Sequence, residues 1–138
     1  MLIDLSPELR TEIHETMQPL LEEWCGHKLD PTFVYGIRVY KDKAILQSHR
    51  DRVDTHIVSA ILNVGQEVVE DWPLVIDDNY YRSHSVVMEP GDALFYEGAR
   101  LTHGRPIAFN GKSFANIFCH FKPADNTSVG SAKRVGDN

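Results

Sequence analysis

Between Leu9 and Trp24 the apolar positions fall at Leu9, Ile13, Met17, Leu20, Leu21 and Trp24, in steps of three and four. That spacing draws one stripe along a helix. Ser6, Pro7 and Glu8 precede it as an N-cap serine, a proline at the first helical position and an acid in the first turn. Gly26 follows as a C-cap. The pattern predicts a helix over 6–25, with His14 and His27 at its surface. Beyond Pro31 the period shortens. "TFVYGIRVY", "HIVSAILNV", "WPLVID", "SVVMEP", "DALFYEG", "RPIAF" and "KSFANIFCHF" are short runs rich in β-branched and aromatic residues, separated by Asp, Asn, Gly and Pro. They predict about seven strands. Asn110-Gly111, between the last two, is a strong turn signal. One helix ahead of many short strands predicts a mainly β protein, a sandwich or barrel over about 31–123. Residues 125–138 are polar and rich in Gly and Ser, and are expected to form a flexible tail.

Composition narrows the class. With 138 residues, 42% hydrophobic and 25% charged, the chain matches one ordinary folded domain, expected over 1–124. Such a chain buries a core without a structural metal. The net charge of −6 argues against a nucleic-acid partner, which selects for a basic footprint. Cys25 and Cys119 lie far apart and form no Cys-x-x-Cys pair, which excludes a zinc ribbon and fits a reducing compartment. No run approaches the ~20 apolar residues of a membrane span. "MLIDLSPELR" lacks the basic start and apolar core of a secretory signal. Together these predict a cytoplasmic protein with no membrane partner.

Candidate chemistry gathers in "LQSHRDRVDTHIV". His49 and Asp51 are two residues apart, a spacing that in a strand aims both side chains to one side. The pair alone decides little. Placed at random among 138 residues, 7 His and 11 Asp give about 0.6 His-x-Asp pairs by chance, so a charged turn competes with a metal site. A third ligand has four candidates: His56, His84, His103 and His120. His56 reads as the solvated edge of an apolar run, His84 as a loop residue and His120 as a hydrogen-bonded strand histidine. His103 follows the Pro90-Gly91-Asp92 turn and opens the "RPIAF" strand. Two histidines and one carboxylate with open positions form the facial triad of non-haem Fe(II) oxygenases, although zinc accepts the same groups.

The segments "RVYKDKAILQSHRD", "SAILNV", "EPGDALFYEG" and "LTHGRPIAFNGKSFANIFCHFKP", in that order, resemble the Fe(II)- and 2-oxoglutarate-dependent oxygenases, in particular the prolyl 4-hydroxylase-like branch. The resemblance runs from about Tyr35 to Pro123. It implies a double-stranded β-helix, or jelly roll, with His49, Asp51 and His103 as iron ligands and catalytic residues. It also implies 2-oxoglutarate and O₂ as cosubstrates, ascorbate as an optional reductant, and hydroxylation of a peptide side chain or a free amino acid. Tyr40, nine residues before His49, matches the family's cosubstrate tyrosine. For the far carboxylate of 2-oxoglutarate the family places a cation about ten residues after the distal histidine. Position 113 is Ser113, and Lys112 takes the role if the preceding segment is one residue short. Were Asn110-Gly111 to close a plain hairpin, Lys112 would lie roughly 20 Å along the strand from His103, and Arg105 would be the nearer cation. A turn crossing between sheets favours Lys112, which is the preferred expectation. The family's Gly-Gly-Glu-Thr stretch is absent; "EDWPLVIDDN" stands in that region. The alternative class is a cupin-like, non-catalytic metal-binding or regulatory barrel.

Overall fold

A computed structural model describes residues 1–124; the expected flexible tail lies outside the described residues. Helix α1 spans Pro7–Cys25. Ser6 Oγ accepts from the Leu9 N–H at 3.1 Å, and Gly26, at φ 78°, closes the other end by donating to Glu22 O. The buried stripe is narrower than the apolar spacing predicts. Met17 and Leu21 are buried and Ile13 half-buried, whereas Leu9, Leu20 and Trp24 are 41, 48 and 48% exposed. The helix rests on one sheet rather than in a groove between layers, so a seam with steps of four suffices. His14 is not a surface residue: it is half-buried, and its Nε2 lies 3.3 Å from His120 O.

Eight strands follow: β1 (Leu29–Tyr40), β2 (Leu46–His49), β3 (Val58–Val68), β4 (Leu74–Asp77), β5 (Ser83–Val86), β6 (Ala93–Tyr96), β7 (His103–Arg105) and β8 (Gly111–Pro123). They form two four-stranded antiparallel sheets, ordered β1-β8-β3-β6 and β2-β7-β4-β5. Successive strands cross from one sheet to the other, except β4 to β5, which is the connectivity of a jelly roll. The outer face of the first sheet packs on α1 through Leu21, Leu29, Val58, Ala60, Cys119 and Phe121. Between the sheets, Ile61, Leu74, Met88 and Tyr96 form the interior. Tyr40, Trp72, Phe109 and Phe114 close one end of it.

Three segments differ from the sequence pattern. β2 has no apolar alternation of its own and is held by pairing with β7. In "SVVMEP" the strand shifts upstream to Ser83–Val86, where β4 supplies its partner. "RPIAF" is a strand only as far as Arg105, because Pro106 has no N–H for a ladder. The Asn110-Gly111 turn does not close a two-residue hairpin: β7 and β8 lie in different sheets and the chain crosses between them. Phe109 N donating to Ala44 O at 2.8 Å and Lys43 N donating to Phe109 O at 2.6 Å hold that crossing. Both cysteines are free, and burial pushes the Cys119 thiol up to about 12. Among the described residues no helix is long and apolar enough to cross a membrane.

Candidate metal centre

The β2–β7 ladder builds the site. His49 pairs directly with His103, which brings their rings to 4.6 Å between centroids. Asp51 lies just past the end of β2, so strand alternation does not aim it. Its N–H donates to Gly98 O at 2.9 Å, and this bond turns the carboxylate back toward the two rings. One ligand atom from each of His49, Asp51 and His103 falls within 4.8 Å of the others.

The hydrogen bonds set the tautomers. His49 Nδ1 donates to Gln47 O at 2.7 Å and His103 Nδ1 donates to Leu101 O at 2.9 Å. A carbonyl carries no proton, so each Nδ1 must carry it, and in a neutral ring Nε2 is a bare lone pair. These two lone pairs face Asp51: Nε2 of His49 is 3.2 Å from Oδ1, and Nε2 of His103 is 3.3 Å from Oδ2. Asp51 Oδ2 is buried with no hydrogen-bond partner. Burial pushes the Asp51 carboxyl up; the imidazoles beside it, His103 first, pull it below its ordinary range only when they carry a second proton, which a bound cation would replace. Two imidazole nitrogens and an orphaned carboxylate oxygen around one point fit a divalent cation.

The triad lines a cavity of about 260 Å³ between the sheets. Arg105, two residues beyond His103 and on the same face of β7, also lines it. Its guanidinium is 1% exposed, donates to Trp72 O at 2.7 Å and to Asn116 Oδ1 at 3.2 Å, and lies 4.7 Å from the Trp72 and Phe114 rings. Those two bonds leave three of its five N–H donors. Among the described residues no carboxylate pairs with it. Burial brings its pKa down to about 10, so it stays charged at neutral pH. Tyr40 borders the same cavity, packed edge-on against Trp72 at 5.1 Å, and burial raises its pKa. Lys112 is exposed and does not border the cavity. Phe114, two residues further along β8, belongs to the aromatic plug that closes this end, and Lys112 lies beyond it. The preferred expectation put Lys112 within reach of a cosubstrate in the cavity; the structure instead places it outside the cavity. The crossing between sheets is as expected, but the plug stands in the way and Arg105 is the cation inside.

Sequence reasoning missed one wall of the cavity. His56 is no solvated edge: it is 7% exposed and stacks on His120 with ring centroids 3.8 Å apart. Ser59 Oγ and His120 Nδ1 share a hydrogen bond of 2.7 Å, and Thr55 Oγ1 and His56 Nδ1 share one of 2.6 Å. Burial lowers both pKa values, that of His120 to about 3, so the pair is uncharged at neutral pH. The "TH" and "CH" dipeptides at the ends of two paired strands are the signal that could have found it: Ser59 pairs with His120 in the β3–β8 ladder. His84 is remote; it lies on the exposed strand β5 and pairs with Asp78 at 2.8 Å.

No family model and no curated protein matches the sequence. Among solved structures, a prolyl-4-hydroxylase of Pseudomonas putida overlaps with a TM-score of 0.54 and 19% identity. The overlap covers 85% of this chain and 61% of that one, so the chain spans about three fifths of that enzyme's length. A cupin domain from Bordetella pertussis Tohama I overlaps at 0.43 with 13% identity, over 68% of this chain and 93% of that one. The hydroxylase likeness is one of fold: a mainly β jelly roll with an N-terminal helix.

Proposed function

We propose that the chain is a non-haem Fe(II)- and 2-oxoglutarate-dependent dioxygenase, a hydroxylase of the prolyl 4-hydroxylase-like type. The observation that carries this reading is Arg105. A buried cation with no acidic partner is costly unless an anion joins it, and this one shares a cavity with a two-histidine, one-carboxylate site. A metal-binding barrel without catalysis, the cupin-like alternative, accounts for the triad but leaves Arg105 without an anion.

In this reading His49 Nε2, His103 Nε2 and the Asp51 carboxylate hold iron. When bound, the iron supplies O₂ activation, coupled to decarboxylation of 2-oxoglutarate to succinate and CO₂ and to hydroxylation of a substrate C–H bond. The chain's own residues do the rest. The backbone carbonyls of Gln47 and Leu101 keep each histidine in the ligating tautomer. Arg105 receives the far carboxylate of 2-oxoglutarate in charge-assisted hydrogen bonds, and the Tyr40 hydroxyl adds a donor beside it. Ile61, Leu74 and Phe118 supply apolar walls that keep water from the reacting atoms.

The test compares two cations. Losing one partner of a buried charged pair costs about 2–5 kcal/mol. Arg105→Gln should thus weaken 2-oxoglutarate binding by roughly 30-fold or more, while Lys112→Gln leaves it unchanged; calorimetric titration of the anaerobic Fe(II)-loaded protein reads both. Slow 2-oxoglutarate consumption without a primary substrate is expected under air with Fe(II) and not with Zn(II), which has no redox chemistry. An iron-loaded protein that neither binds nor consumes 2-oxoglutarate would leave the cupin-like reading in its place.

A further inference from the structure

The cavity holds a second cation. Arg38 borders it from β1, exposed at its mouth. Strand alternation alone would put Tyr35 and Arg38, three residues apart, on opposite faces. A register shift between Tyr35 and Arg38 opposite β8 breaks the alternation, and both residues line the cavity. Tyr35 then stands 5.6 Å from the rings of both His56 and His120, tilted to the first and edge-on to the second, and the three rings form an aromatic wall of the cavity that Arg38 also borders. Among the described residues no carboxylate pairs with Arg38, and Asp51 is the one acidic residue bordering the cavity.

With a divalent metal and 2-oxoglutarate in place, the groups around the cavity would sum to one positive charge, and Arg38 at the mouth would be free to take a further anion. This step rests on the oxygenase reading. A divalent metal and Arg105 together carry three positive charges, offset by Asp51 and the two carboxylates of 2-oxoglutarate. The histidine wall is uncharged at neutral pH. Arg38 is left over. A cavity of about 260 Å³ falls just below the ordinary range for ligand sites, roughly 300–1,000 Å³, so little space remains beside the cosubstrate.

We propose that Arg38 anchors a carboxylate of the primary substrate, a small acid of amino-acid size whose remaining atoms lie against the Tyr35–His56–His120 wall. A guanidinium presents paired N–H donors that match a carboxylate, and placement at the mouth lets the substrate enter after 2-oxoglutarate.

The two arginines can be followed separately by the Nε–H resonances of the Zn(II)-loaded protein, which needs no turnover. 2-Oxoglutarate is added first, then glycine or acetate, with acetamide as the uncharged control. Glycine and acetate should shift Arg38 Nε–H saturably below about 100 mM, the range of a single charge-assisted pair, and acetamide should not. Arg38→Gln should weaken glycine binding about tenfold or more, read at the Tyr35 ring, with the response of Arg105 to 2-oxoglutarate as the fold control. Absence of any carboxylate shift at Arg38 while 2-oxoglutarate still moves Arg105 would overturn the anchor and leave the oxygenase reading standing. A 2-oxoglutarate shift at Arg38 in place of Arg105 would overturn it too, making Arg38 the cosubstrate's partner. If 2-oxoglutarate moves neither arginine, the oxygenase reading fails, and the glycine and acetate shifts still decide the anchor. An acetylated tripeptide binding as tightly as glycine would overturn the small-molecule class.

Discussion

At the scale of single residues the decisive atom is Asp51 Oδ2, buried, without a hydrogen bond and facing a histidine lone pair. Such an atom costs free energy in the metal-free protein and regains it when a cation arrives. Metal should therefore stabilise the fold by mass action, by about 2.7 kcal/mol at a hundred times its dissociation constant. In Asp51→Asn the repulsion is relieved and the charge is gone. Its thermal midpoint should no longer respond to Zn(II) or Fe(II) at concentrations that saturate the unmodified chain. A thermal denaturation series with and without chelator measures this, and an equal metal-induced rise in the variant would count against Asp51 as a ligand.

At the scale of elements, the β2–β7 ladder and the turn after β6 hold the three candidate ligands in place, and two glycines let them approach. A Cβ on Gly98 would run into Asp51 Oδ2, and one on Gly104 would come within 2.7 Å of Ser48 Cα. The two variants should fail differently. Gly98→Ala presses on a side chain, so metal affinity should fall by about 10–100-fold with little loss of stability. Gly104→Ala presses on backbone and should cost about 1–3 kcal/mol of stability by overpacking. Metal titration and chemical denaturation on both proteins separate the effects. Loss of stability without loss of metal affinity in Gly98→Ala would contradict the contact. The wall has the same origin: neither His56 nor His120 has a partner in its own segment that predicts stacking, and the β3–β8 register brings them together.

At the scale of the whole molecule, the cavity interior makes stability depend on pH. His120 titrates near 3 in the folded protein and near 6.5 when unfolded, because burial, with the His56 ring beside it, disfavours the charged form. Between those values the unfolded chain binds a proton that the folded chain does not. Stability is thus complete above about pH 6.5 and declines as pH falls toward 3, with a loss of about 2 kcal/mol at pH 5 from this group. Ser59→Ala/His120→Phe removes the histidine and its hydroxyl partner together while keeping a ring to stack. Denaturation at pH 7 and pH 5 should show a pH dependence smaller by about one proton than in the unmodified chain; an unchanged slope would mean that another group carries the acid sensitivity.

The helix, its caps, most strands and the His49-x-Asp51…His103 set were legible in the sequence, because caps, periodicity and ligand chemistry are written in local residue types. Tertiary structure decided everything that depends on which strands meet. Lys112 and Arg105 are seven residues apart and equally basic in the sequence, and the aromatic plug of Tyr40, Trp72, Phe109 and Phe114, drawn from distant segments, leaves one outside and one inside. The strand β2 exists because β7 pairs with it. Arg38 reaches the cavity because a register shift reverses the alternation that its own strand would impose. Local chemistry names the groups a chain can use, and long-range pairing sets their distances, on which an electrostatic or coordination site depends.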